Sequence, residues 1–344
     1  MQKNTISANY GAFLALILLL FSQCGSKQQK PLPSSNLMQA IEQAGDGGMT
    51  AEEYHALKAK FGKMFDRWCL EVMDVAPAYY AKDSIMAGFL NAFVQLNKPV
   101  FTSVKKHYAK YPDLDQDIAK TMAKLKSEFP DAGEMQILVY FSQFSNTNTF
   151  TDTVNGRQVL AYSAEMFMDD TFALYGMIEG LPGWIKRYAR TEQIAPYLAA
   201  TYLNGRYAET HPRKTMLDEM VFQGKLWYSM AKLCPDISEA HLFGYTDPEW
   251  KFLNQEEANV WNYYVQQQTL FSTDFNHVIK RFFIQGEKTT GAGLPEECPP
   301  RIGNFSGYKV IAAYAAKTGK SLKQIWEENN SGNILQQSGY NPIR

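Results

Sequence analysis

The chain has 344 residues, 45% of them apolar and 14% aromatic, which is material for one large core or two modest ones and excludes a disordered chain. Lysine and arginine number 34 against 35 aspartates and glutamates, so there is no basic excess to neutralise phosphates, and nucleic acid is excluded as a partner.

At the N-terminus Lys3 precedes an uncharged apolar run from Gly11 to Phe21. Its length suits the apolar segment of a signal peptide and is too short to span a bilayer as a helix, so residues 1–23 are expected to be cleaved. The following Phe21-Ser22-Gln23-Cys24-Gly25-Ser26 resembles a lipobox, in which Cys24 is acylated and becomes the mature N-terminus. Gln23 departs from the small residue usual at that place; the alternative is a secreted protein in which Cys24 is incidental. No acidic residue follows in Gly25-Ser26-Lys27, so the expectation is a lipid-anchored envelope protein facing the periplasm. Residues 24–48 are polar, contain two prolines and end Gly-rich, and they read as anchor and flexible tether. A single folded domain is expected over 49–344. Beyond Cys24 the cysteines are Cys69, Cys234 and Cys298; there is no Cys-x-x-Cys, the spacing is wrong for zinc, and Cys69 and Cys234 fall in apolar helical patterns as buried thiols.

Thr50-Ala-Glu-Glu53 is a capping box that predicts a helix through about Met73. A second helical segment runs from Pro77 through Phe101 and His107 to the break at Tyr111-Pro112-Asp113, and a third runs from Asp115 to Phe129. Met135 to Phe144 and Gln158 to Met166 predict two strands of a small sheet, with Ser145 to Thr153 as turn material between them. After a break at Leu181-Pro182-Gly183 the pattern is helical. The stretch from His211 to Asp236 reads as one long helix: Lys214, Asp218, Lys225, Ser229 and Lys232 form its solvated face, while Glu219 and Gln223 fall among Met216, Met220, Leu226, Trp227 and Met230. Thr246-Asp-Pro-Glu249 starts another helix whose apolar stripe has Glu257 at its centre. Arg301 to Lys317 is a helix carrying Gly303 and Gly307, which permit close helix contact, and Ser321-Leu-Lys-Gln324 caps one more. The fold class is therefore mainly α with a small β-sheet.

Two helices that each bury a glutamate invite comparison with gluzincin metallopeptidases, whose first helix carries His-Glu-x-x-His and whose second supplies a zinc-binding glutamate. On that template Glu219 keeps the catalytic position, but both histidine positions are lost, to Asp218 and to Phe222. The five histidines, His55, His107, His211, His241 and His277, form no pair at helical spacing, so no metal and no cofactor are expected. There is no Gly-x-Ser-x-Gly elbow, P-loop or Gly-x-Gly-x-x-Gly. Glu219 and Glu257 as a pair could serve a hydrolase; the simpler reading is a buried ionic network in which a cation lies between them, with Arg301 as that cation.

The chain resembles the gliding-motility-associated lipoproteins called GldB. The resemblance rests on the signal segment with Cys24, on Met168 to Gly176, on Thr215 to Lys225, on Leu270-Phe-Ser-Thr-Asp274, on Pro299 to Gly303 with Gly307-Tyr308, and on Asn333-Ile-Leu335 with Ser338 to Pro342. It implies an envelope lipoprotein associated with the gliding and secretion machinery, and, more distantly, a zincin-like scaffold without metal. Two functions follow: a non-catalytic lipoprotein that holds partners at the membrane, or a periplasmic hydrolase using Glu219 and Glu257.

Overall fold

The structure is a computed structural model that describes residues 32–145, 148–178, 181, 186–283, 286, 288–291 and 293–343. The signal segment, Cys24 and most of the Leu181-Pro182-Gly183 break lie outside the described residues.

Folding begins earlier in the chain than the composition suggests. Strand β1 (Ser34–Asn36) and helix α1 (Leu37–Gly45) occupy the segment read as tether. Asn36 caps α1 by accepting from the Gln39 amide at 2.8 Å, and Leu37, Met38 and Ile41 are buried. Two prolines and a glycine pair mask this short amphipathic helix in the sequence. The capping box of Thr50 and Glu53 then starts α2 (Ala51–Phe61). The predicted helix to Met73 breaks at Gly62, whose φ of 50° and ψ of −129° no helix interior adopts. Beyond it lie α3 (Lys63–Arg67) and a wider π-helical turn over Trp68–Val72. A short α4 (Pro77–Tyr80) leads to α5 (Asp83–Tyr108), which keeps Pro99 inside it, and to α6 (Leu114–Glu128).

Among the described residues the sheet has four strands in the order β1-β2-β4-β3, two more than the sequence pattern indicates. Strands β2 (Met135–Tyr140) and β4 (Arg157–Ser163) pair in parallel with Met135 opposite Gln158, and β1 adds in parallel with Ser34 opposite Ile137. Strand β3 (Thr149–Val154) forms in the Thr-rich stretch read as turn and pairs antiparallel with β4. Asn155 and Gly156, both at positive φ, make the two-residue turn that this hairpin needs.

In the second half the helices are α7 (Ile194–Tyr207), α8 (Met216–Leu233), α9 (Glu239–Phe243), α10 (Asp247–Gln255), α11 (Glu257–Gln266), α12 (Ile302–Thr318), α13 (Leu322–Glu327) and α14 (Ser331–Ser338). Helix α8 is shorter than His211 to Asp236 because Thr215 and Asp218 cap it. The helix expected from Thr246 is two, α10 and α11, so Glu257 stands in a first turn and not at the middle of a stripe. Helix α8 is the wall between two hydrophobic cores. Phe222, Leu226 and Leu233 join the core around the sheet, α1, α5 and α7; Met216, Met220, Trp227 and Met230 join the core around α11 and α12. Its backbone touches that of α12 at Gly224 and Gly307. The thiols of Cys69, Cys234 and Cys298 are free and buried.

Candidate functional site

At the start of α8 the Thr215 hydroxyl accepts from the Asp218 amide at 3.1 Å, and the Asp218 carboxylate accepts from the amides of Thr215 at 3.0 Å and Lys214 at 3.3 Å. Asp218 is thus a capping residue. The second position compared with a zinc ligand, Phe222, is 1% exposed and meets Trp326 edge to face with ring centres 5.6 Å apart. Both positions therefore serve helix ends and packing.

Glu219 is buried, and the partner that stabilises its charge is Arg213. The guanidinium donates through Nε to Oε2 and through Nη2 to Oε1, both at 2.6 Å, and Gln223 adds a third donor at 2.8 Å. Such a two-pronged pair holds both oxygens in one plane. Arg213 itself lies over the Phe222 ring, 4.7 Å from its centre. Glu257 is held elsewhere, accepting from the Tyr340 hydroxyl at 2.9 Å and pairing with Lys309 at 3.3 Å.

Arg301 joins neither carboxylate. It sits at the left-handed N-cap of α12, donates to the Phe243 carbonyl, and lies over Tyr188 and Trp227 with its guanidinium carbon 4.0 and 5.0 Å from the ring centres. The expected network of Glu219, Glu257 and Arg301 is therefore replaced by three separate sets of partners: aromatic faces desolvate and attract the Arg301 cation, while a nearer arginine takes Glu219.

Two buried polar clusters were not legible in the sequence. Glu165, completely buried just past β4, accepts from the Ser142 amide and hydroxyl at 2.7 and 2.6 Å, from the Phe144 amide at 3.1 Å and from the Ser163 hydroxyl at 2.7 Å. Burial raises its pKa and the serine hydroxyls oppose that rise. Four donors fix the carboxylate, and the cluster ties the ends of β2 and β4 together. The second cluster joins His107 Nε2 to the Thr191 hydroxyl at 2.7 Å, with Asp169 accepting from the Thr191 amide at 2.9 Å and from the Tyr111 hydroxyl. The Thr191 hydrogen goes to the Phe167 carbonyl at 2.8 Å, so His107 must donate at Nε2 and cannot act there as a base toward Thr191. Burial lowers the pKa of His107, and Asp169 opposes it.

Among the described residues no group of three His, Cys, Asp or Glu side chains could hold a metal ion, and no helix is long and apolar enough to cross a membrane. A cleft of about 920 Å³ lies between the C-terminal turns of α6, α8 and α12, floored by Ala231, Ala312 and Ala315 and edged by Lys124, Lys232 and Lys320. Glu128, Glu239, Tyr228 and Tyr308 also line it, so the cleft presents charged and hydrogen-bonding groups over an apolar floor, a form suited to binding.

No curated protein and no solved structure matches the chain. The family described as gliding motility protein GldB matches residues 26–342. The match takes in the α8 segment, the Leu270 to Asp274 turn whose Ser272 carbonyl accepts from the Met216 amide at 3.0 Å, and the C-terminal helices, so the chain belongs to the GldB family.

Proposed function

We propose that this gliding-motility lipoprotein is held to the cell envelope by a lipid on Cys24, faces the periplasm, and works without catalysis by holding components of the motility machinery at the membrane. The observation that supports the non-catalytic part is the engagement of Glu219: both oxygens are bound by Arg213 and one also by Gln223, so the carboxylate is committed to an ion pair that holds it ionised and in place. Family membership supports the motility role, and the lipobox-like Phe21 to Ser26 supports the anchor.

Two measurements test the reading. Cys24→Ser should move the protein from the membrane to the soluble fraction; membrane association that survives this change and a salt wash sinks the anchor. Glu219→Gln and Glu257→Gln should leave recovery of partners from detergent-solubilised membranes intact. A stable Glu219→Gln variant that loses a hydrolytic activity present in the wild type would give the case to the hydrolase.

A further inference from the structure

We propose that the cleft between the last turns of α6, α8 and α12 is a docking groove for an extended acidic segment of a partner protein; this deepens the partner-holding role above and rests on it for the existence of a partner. The charges at the cleft are unevenly engaged. Lys124, Lys232 and Lys320 have no carboxylate within 4.0 Å among the described residues; Lys320 donates to the Tyr314 hydroxyl, with Glu328 farther off. The two acids at the same cleft already have partners: Glu128 accepts from the Leu322 amide at 3.2 Å, and Glu239 accepts from the Tyr308 hydroxyl. The rim thus presents three lysines against two carboxylates that are held by hydrogen bonds, a small excess of positive side chains.

The floor fits the same occupant. Ala231, Ala312 and Ala315 leave room for a main chain to lie close to α8 and α12. Glu128, Leu233 and Thr318 end their helices here, and the last carbonyls of a helix have no donor inside it. An extended segment brings main-chain N–H groups to those carbonyls and carboxylates to the lysines, so one ligand satisfies both the negative helix ends and the positive rim. The chain's own leader does not fit, because Gly25 to Pro31 carries Lys27 and Lys30 and no acid.

The probe is a fluorescein-labelled peptide of alternating glutamate and alanine, titrated by anisotropy against the detergent-solubilised full-length protein. Saturable binding that weakens with salt is expected, together with a loss of about tenfold in Lys124→Glu/Lys232→Glu and retention in Lys124→Arg/Lys232→Arg. Ala312→Trp, which fills the floor without touching charge, should also weaken it. Equal affinity in all variants, tighter binding of the matching lysine–alanine peptide, or no binding overturns the groove. A dimer of the full chain that dissolves in Lys124→Glu/Lys232→Glu would transfer the groove to a second copy and equally overturn it. The membrane fractionation of Cys24→Ser is independent of these readings, so failure of the anchor and failure of the groove are told apart.

Discussion

Gly224 and Gly307 bring the backbones of α8 and α12 into direct contact: a Cβ on Gly224 would stand 2.2 Å from the Gly307 carbonyl oxygen, and one on Gly307 would stand 2.0 Å from the carbonyl oxygen of Met220. Replacing a helical glycine by alanine ordinarily stabilises by about 0.5 to 1 kcal/mol. Gly307→Ala should instead lose about 2 kcal/mol or more, because two rigid backbones must separate. Gly88→Ala in α5, where the added methyl meets nothing within 4 Å, is the control and should gain. Urea denaturation of the pair decides the matter: a Gly307→Ala variant that also gains would show that the helices separate freely.

The Arg213–Glu219 pair predicts a coupled loss. Glu219→Gln leaves a guanidinium without its carboxylate and should cost about 2 to 3 kcal/mol, toward the low end for breaking a buried pair because the Arg213 side chain is 36% exposed. Arg213→Lys should recover only part of this, since an ammonium cannot donate two parallel bonds. A double-mutant cycle with an additive Arg213→Met/Glu219→Gln would remove the pair from the account of stability.

Lys225 predicts a pH dependence. Sequence periodicity places it with Ser229 on a solvated face, but both are fully buried beneath Trp326, and the Lys225 amine donates to the Glu328 carbonyl at 2.5 Å. Desolvation lowers its pKa to about 7. A lysine depressed in the folded state contributes stability that is fully present above its unfolded value near 10.5 and is lost as the pH falls toward 7. Lys225→Met should therefore match or exceed the wild type at pH 6, and the wild type should gain on it by a few kcal/mol, on the order of the pKa shift, between pH 7 and 10. A difference that stays constant across that range would mean that Lys225 remains charged throughout.

Residues 34–45 predict a structural phenotype where a tether would show none. Ile41 is 1% exposed in the core around the sheet, so Ile41→Ala should cost about 2 to 4 kcal/mol. Thermal unfolding indistinguishable from the wild type would return the segment to the linker.

What could be read from the sequence was local. The boxes at Thr50 and Glu53, Thr246 and Glu249, and Ser321 and Gln324 need only residues three apart, and all three close as the spacing requires. Strand β3 escaped because threonines and asparagines at a hairpin resemble loop, and nothing local to β2 and β4 announces their parallel pairing. Lys225 and Ser229 escaped because periodicity reports where polar residues lie, not whether a tryptophan about a hundred residues later covers them. The partner of Glu219 was sought far along the chain at Arg301, yet it is six residues upstream at Arg213, within the stretch read as one helix but ahead of the Thr215 cap where the helix begins. The burial of Glu219 itself follows from the helical angle alone.

The parallel edge strand β1 would set the mechanics of the molecule under the proposed anchoring. If Cys24 carries the proposed lipid, the leash of ten residues from it to Ser34 spans roughly 35 Å at most, which would keep the body within a few helix diameters of the bilayer surface. Tension on that leash arrives at the first residue of a strand that runs alongside β2, with Ser34, Ser35 and Asn36 in register with Ile137, Leu138 and Val139. A pull along the strand axis loads those rungs together in shear instead of peeling them one at a time, and the next residues along the chain, Leu37, Met38 and Ile41 of α1, are held in the core. On the proposed anchoring, traction would be met at the seam where the described chain enters the sheet.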